Sequence, residues 1–439
     1  MTLAPAEPAE PADATFRQKA AWCVYDWANS GYGLIIVGPL FAAVFEGTML
    51  PALPPESATA EVARGLFFNG TVIPPIAVMG FCVALSSLMV MVAAPVLGAV
   101  ADMRGWTKGL MVGHAVVGSF ATFGFLLVGE GQWLFAAALY VVGNYCFGAS
   151  LPFYNAYLPH LVGPSKQGSL SGWGFAVGYI GGAVALVIAL FLTRQLHYSY
   201  GLAFAGVWWL TFTLPAALLL PKLEPVVRVR VHANIVFEGF RRVFETLRNI
   251  RRYRMLFLFL LAFLVYNNGI DTVINISPIY ASSLFGFDEG ELVAVFLVTQ
   301  CVAFVGAMVM GYLADRIGNK TVVVMNLLGW CIAVAAAYFA QTQAHFWMLS
   351  IGVGIVIGGA QSSSRALMSS LAPREIRAEA FGFYSLSGKA ISAFGPLILA
   401  FAATMAGSRA GVLAVLPFLV IGLVMLLFVK TPARGVEPT

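Results

Sequence analysis

Apolar residues in this chain run on for about 20 positions or more at a stretch, and the short segments between the runs hold most of the charge. A helix rises about 1.5 Å per residue, so such runs cross a hydrocarbon layer roughly 30 Å thick; strands of a membrane barrel would instead alternate apolar and polar positions. The pattern predicts an all-α membrane protein with twelve transmembrane helices at 22–44, 76–101, 109–128, 133–158, 172–193, 202–220, 255–280, 292–314, 321–341, 346–367, 381–405 and 412–429. Several spans contain Pro or Gly, which membrane helices tolerate where neighbours satisfy the freed backbone groups.

Charge then orients the spans. With a cytoplasmic N-terminus, that side collects 21 Lys and Arg residues, among them Arg104, Lys108, Arg248, Arg316, Arg365, Arg374 and Lys430, against three on the other side, Arg64, Arg194 and Arg409. Lys389 is left inside a span. The positive-inside rule therefore puts both termini in the cytoplasm, in a cell membrane or, in a fungus, the vacuolar membrane. Of 439 residues, 60% are apolar and 10% charged, too few polar side chains to coat a water-soluble globule, so soluble enzymes and nucleic-acid binders are excluded and the bilayer is the expected surrounding. The five cysteines fall in apolar stretches without ligand spacing and read as buried thiols, with no metal or cofactor expected.

Residues 1–21, rich in Ala, Pro and Glu, read as a disordered tail, and 430–439 as a second tail. The longest cytoplasmic connection, 221–254, separates an N-terminal bundle at 22–220 from a C-terminal bundle at 255–429. Within it Val236, Phe240, Val243, Leu247 and Ile250 recur at helical spacing beside five arginines, predicting an amphipathic helix on the headgroups. A long outer loop follows the first span, and its Asn69-Gly70-Thr71 sequon carries meaning only in a secretory-pathway organism.

The halves repeat. Gly98-x-x-Ala-Asp102-x-x-Gly105 with Lys108 follows the second span, and Gly311-x-x-Ala-Asp315-Arg316-x-Gly318 with Lys320 follows the eighth, 213 positions later. Ser171, Gly174 and Gly181 match Ser385, Gly388 and Gly395 at an offset of 214, and Asn29 and Pro39 match Asn268 and Pro278 at 239. Six helices per half make these parallel repeats, related by an axis along the membrane normal. In the loop motif, Gly permits close helix contact, and Asp suits the N-terminus of a helix in the other half, where free N–H groups and the dipole favour an anion. The eleventh span offers such a terminus to Asp102 and the fifth to Asp315, so the two aspartates, with their glycines and bases, read as a gate latch; a tight turn is the simpler alternative.

This signature, with two sets of six helices, resembles the major facilitator superfamily over nearly the whole chain. Val24-Tyr25-Asp26-Trp27-Ala28-Asn29-Ser30, Phe153-Tyr154-Asn155-Ala156-Tyr157-Leu158-Pro159 and Gly358-Gly359-Ala360-Gln361-Ser362, together with Phe381-Gly382-Phe383-Tyr384, narrow the resemblance to its vacuole-effluxer-like branch, known from fungal autophagy-related exporters of amino acids. The resemblance implies the two-bundle fold, a transporter, and a central cavity lined by the first, fourth, seventh and tenth helices. It thereby places Asp26, Asn29, Asn155, Asn268, Asp271 and Gln361 at candidate cavity positions.

Polar groups inside hydrocarbon point the same way, since an ionised side chain there costs about 2.5–3.5 kcal/mol and persists only when paired, hydrated or used. Asp26 reads either as a proton carrier or as one partner of a fixed salt bridge, with Arg365 as the candidate partner. Asp271 presents the same pair of readings. Lys389 is a candidate counter-charge for either aspartate or a holder of a substrate carboxylate. His114 reads as a hydrogen-bonded core histidine or a relay. The four amides suit a zwitterion or a polyhydroxy solute alike. The glycines at 174, 178 and 182, and at 354 and 358, read as helix packing rather than a phosphate cradle.

The function expected is secondary active transport of a small polar solute, amino acids foremost, by rocking of the two halves and with proton coupling. Sugars and other metabolites are the alternative cargo, and a transporter-like sensor or lipid-handling protein without flux is the rival. The solute, protons and the bilayer are the expected partners of a monomer. Enzyme chemistry is not expected, since no HExxH, Ser/His/Asp set or Cys/His pair is visible.

Overall fold

A computed structural model describes residues 13–53, 64–68, 71–225, 235–389, 398, 401, 404–405 and 411–431. Its helices are α1 (Phe16–Tyr32), α2 (Pro39–Val44), α3 (Pro75–Arg104), α4 (Thr107–Phe123), α5 (Trp133–Ala156), α6 (Leu158–Leu161), α7 (Gln167–Gln195) and α8 (Tyr198–Leu219), then α9 (Ile235–Arg248) in the connection, then α10 (Arg254–Phe285), α11 (Glu289–Ile317), α12 (Asn319–Phe339), α13 (Gln343–Leu371), α14 (Arg377–Lys389) and α15 (Leu416–Leu427). Ten helical stretches among the described residues are long and apolar enough to cross a membrane, and they correspond to the first ten predicted spans. α14 begins the eleventh, whose remainder, with Gly395, lies largely outside the described residues; the apolar helix Val412–Leu427 is the twelfth.

The expected tail at 1–21 is corrected from residue 13 onward; 1–12 lie outside the described residues. α1 already starts at Phe16 because Thr15 and Gln18 form a reciprocal capping box, satisfying free N–H groups of the first turn. The segment is tied down by Ala14 N–H donating to the Leu161 carbonyl at 2.9 Å and by Asp13, 2.6 Å from Lys166 Nζ. The Lys166 ammonium, hydrogen-bonded to Asp13, holds its carboxyl below the usual carboxylate range. The first span also runs further than expected, to Met49, through two stretches of π-helix on either side of α2. Gly38 and Pro39 make the break between them: a Cβ on Gly38 would lie 2.2 Å from the Leu34 carbonyl oxygen.

Small residues set the packing inside each half. A Cβ on Gly178 would lie 2.7 Å from Ser30 Oγ, joining α7 to α1, and one on Gly358 would lie 2.4 Å from the Ala303 carbonyl, joining α13 to α11. At the end away from the basic residues, Leu66–Phe68 and Thr71–Ile73 pair antiparallel, and Arg64 donates to the carbonyls of Thr48 and Leu50, capping the first span. Asn69 and Gly70 of the sequon lie outside the described residues.

The five cysteines are all free thiols, and Cys23, Cys82 and Cys146 are buried. Cys301 corrects the expectation of uniform burial: it lies on an outward face of α11, because an apolar surround, here the lipid side of a membrane helix, is as acceptable to a thiol as a protein core.

Candidate transport site and gate

Arg365 is the centre of a buried polar cluster between the halves. It sits on α13 in the C-terminal half and is 2% exposed, yet its polar partners belong to the N-terminal half. Its Nε donates to Ser171 Oγ at 2.9 Å and its Nη2 to the Ser171 carbonyl at 2.8 Å on α7. Its Nη1 donates to Asp26 Oδ2 at 3.2 Å on α1 and to Asn155 Oδ1 at 3.5 Å on α5. The guanidinium stacks on Phe175, Trp22 and Tyr154, with its carbon 4.1, 4.7 and 5.3 Å from the ring centroids. A planar fork surrounded by aromatic faces is an arginine site that lysine cannot reproduce. Gly174 makes room for it, since a Cβ there would lie 2.8 Å from Arg365 Nη2. One turn away on α13, Gln361 Oε1 accepts from Tyr179 Oη of α7 at 2.6 Å, a second contact between the halves.

Toward the basic end two aspartates close helix termini across the same divide. Asp102, at the end of α3, accepts from the amides of Ala378 and Glu379 at 3.1 and 3.0 Å, the second and third residues of α14. Asp315, at the end of α11, accepts from the amides of Gly168 and Ser169 at 2.8 and 2.9 Å, the second and third residues of α7, and from the Ser169 hydroxyl. Each carboxylate satisfies two N–H groups that no intrahelical partner can reach. The glycines one turn before them allow backbone contact: a Cβ on Gly98 would lie 2.5 Å from the Ala378 carbonyl, and one on Gly311 would lie 2.6 Å from the Gly168 carbonyl. Gly382 against Ala94 mirrors Gly172 against Ala307.

These contacts revise the repeat. Gly168 pairs with Ala378, and Gly172 with Gly382, at an offset of 210 rather than 214. The sequence match at Ser385 and Gly388 is one helical turn out of step; small residues recur nearly every turn here, so a slip of four preserves the pattern and the face.

The bases of the loop motif do not join the gate as expected. Lys108 Nζ donates to the Leu220 carbonyl at 2.6 Å, just past α8, and Lys320 Nζ donates to the carbonyls of Leu427 and Val429 at 2.8 Å, at the end of α15. Each caps the last helix of its own half, where unpaired carbonyls attract a cation. Arg316 folds back over the Tyr312 ring at 4.4 Å. Gly105 and Gly318 take positive φ at 67° and 99° to turn the chain.

Of the remaining candidates, Asn29 accepts from Trp209 Nε1 at 2.8 Å and lies inside the N-terminal half rather than with Arg365. Its counterpart Asn268 is 3% exposed, and neither side-chain atom has a hydrogen-bond partner among the described residues. Asp271 accepts from Asn267 Nδ2 at 2.8 Å. The Lys389 side chain lies outside the described residues. His114 Nδ1 sits 2.7 Å from the Leu110 carbonyl, the core arrangement. Ser171, Tyr179 and the aromatic surround of Arg365 were absent from the sequence-based set. The usable signal was Arg365 itself, the candidate salt-bridge partner of Asp26, and that pair is present at 3.2 Å; its other partners leave no local pattern in the sequence.

The profile of the family described as vacuole effluxer Atg22 like matches residues 14–169 and 165–437. The chain belongs to that family. An uncharacterized MFS-type transporter of Bacillus subtilis, YxiO, is 31% identical over 425 residues, covering 94% of this chain and 95% of that protein. Autophagy-related protein 22-1 of Penicillium rubens is 23% identical, covering 87% and 84%. Among solved structures, the human organic anion transporter MFSD10 superposes with a TM-score of 0.72 at 13% identity, covering 96% of this chain and 100% of that one. A bacterial homologue of the iron transporter ferroportin in its outward-facing state gives 0.68 at 14% identity, covering 94% and 98%. These likenesses show the major facilitator fold, and this vacuole-effluxer-like protein is a multi-pass membrane transporter of that kind.

Proposed function

We propose that the protein carries a small polar solute, amino acids foremost, by alternating access coupled to protons. The observation that supports this most directly is that Arg365 of one half draws its hydrogen bonds from the other. A buried cation that crosses a divide holds that divide shut, and solute can pass on that side only when the crossing contacts break. The basic face, which the Lys and Arg excess assigns to the cytoplasm with both termini, is the closed one, so the arrangement is outward-facing in a cell membrane.

Asp26 supplies the coupling. A proton on its carboxylate removes the counter-charge of Arg365 and weakens the crossing contact, so protonation from the outer side favours opening toward the cytoplasm. Asp271 is the second proton or solute contact, and Asn155, Gln361 and Asn268 offer the donors and acceptors that a zwitterion needs. A monomer contains the whole site.

Uptake of labelled amino acids into proteoliposomes with an imposed pH gradient tests the reading. Accumulation should follow the gradient in the native protein and lose that dependence in Asp26→Asn or Asp271→Asn. Flux that ignores the gradient and is unchanged in both variants removes the coupling, and transport of sugars in place of amino acids removes the assigned solute class.

A further inference from the structure

The connection between the halves carries a feature that transport of the solute does not use. α9 packs on the N-terminal half through Gly239, where an added Cβ would lie 3.0 Å from Val96 and 3.1 Å from Val100 of α3. Three residues later in the same helix, Arg242 reaches the C-terminal half: its Nε lies 3.5 Å from Glu379 Oε2, and its Nη2 donates to the Glu375 carbonyl. Glu379 has a side chain with 0% exposure, and its backbone N–H is one of the two that Asp102 holds. The same residue of α14 is therefore gripped twice, by α3 through its backbone and by α9 through its side chain.

The opposite side of α9 is apolar and exposed. Phe240, Phe244 and Leu247 lie there, Ile250 continues the ridge, and the exposed Arg248, Arg251, Arg252 and Arg254 follow it up to the start of α10. Aromatic residues beside a cluster of arginines at the foot of a membrane helix match an anionic leaflet in both polarity and charge, at about 1 kcal/mol per base near the surface.

We propose that α9 is a lipid-operated clasp: anionic headgroups of the leaflet at the basic face bind Arg248, Arg251, Arg252 and Arg254, and hold α9 where Arg242 pairs with Glu379, keeping that face closed. The proposal rests on the reading that this face opens and closes during transport. Headgroups do not touch the solute site; they change the equilibrium between states by binding one of them more tightly.

The test uses the full chain with Cys301→Ser and Cys331→Ser, spin-labelled at Ser165→Cys and Arg374→Cys, in nanodiscs of phosphatidylcholine alone or with phosphatidylglycerol. Electron–electron distance measurement should show the closed population gaining about fivefold or more over the open one when phosphatidylglycerol is present. Arg242→Ala, Glu379→Gln and the fourfold Arg→Gln variant at 248, 251, 252 and 254 should each abolish that gain. Equal distributions in both lipids, a gain that survives Arg242→Ala, or dimerisation through α9 in place of a lipid effect would each overturn the proposal. Asp102→Asn with Asp315→Asn serves as the opening control: if it leaves the distances fixed, the alternating-access reading itself fails, and if it opens the face while lipid does nothing, only the clasp fails.

Discussion

Asp102 and Asp315 hold the same position in the two halves, each accepting from the second and third amides of a helix that belongs to the other half. Because each contact crosses from one half to the other, both would have to break for the proposed opening of the basic face.

Asp102→Asn and Asp315→Asn keep an acceptor and remove the charge that the helix dipole favours. Each should shift the equilibrium toward an open basic face by about 1 kcal/mol, and Asp→Ala, which leaves two buried amides unpaired, by about 2 kcal/mol. The distance between spin labels at Ser165→Cys and Arg374→Cys, one on each half, should lengthen in that order. An unchanged distance in the double Asp→Ala variant would show that the carboxylates do not hold the face.

Gly98→Ala and Gly311→Ala put a methyl group about 2.5–2.6 Å from a carbonyl oxygen of the opposing backbone, which cannot swing aside as a side chain can. The two halves should fail to close on that side, lengthening the same label-to-label distance while leaving helicity by circular dichroism intact. A variant with the native distance would mean that the backbones separate at no cost.

Arg365→Ala strands Asp26 without its counter-charge, and breaking a buried pair in this way costs about 3–5 kcal/mol. Thermal unfolding in detergent should show a large loss for Arg365→Ala, a smaller one for Arg365→Lys, and partial recovery when Asp26→Asn is added to Arg365→Ala. Strict additivity in that cycle would rule out a direct coupling between the two residues.

Asn29 and Asn268 should respond in opposite ways to Leu. Asn29→Leu leaves the buried Trp209 indole without its acceptor and should destabilise by about 1–3 kcal/mol, whereas Asn268→Leu removes an amide with no protein partner among the described residues and should be near neutral in stability. If Asn268 contacts solute, that variant should lose transport while keeping its melting temperature. Equal destabilisation by both would place Asn268 among the structural amides.

Much of the gate could be read before the fold was known. Asp102 and Asp315 recur with their glycines at matched spacing because the contact they make needs a small residue one turn before an anion, and that requirement leaves a local pattern. Lys108 and Lys320 recur just as regularly, but nothing local tells a base that caps its own bundle's last helix from one that reaches across the divide. Arg365 is legible only in part: its pairing with Asp26 follows from two opposite charges within spans, but its contacts with Ser171, Asn155 and the aromatic rings lie on three other helices and leave no local pattern.

Long apolar runs, the excess of bases on alternate connections and the doubled loop motif are properties of the linear chain, because hydrocarbon thickness, insertion charge bias and gene-length repetition all act on consecutive residues. Which repeat position faces which, that a single arginine ties the halves together, and that α9 turns Arg242 inward while showing its phenylalanines outward were decided only by tertiary packing. Those outcomes depend on where helices meet in space, and a helix offers the same small residues to a neighbour at every turn until close contact selects one register.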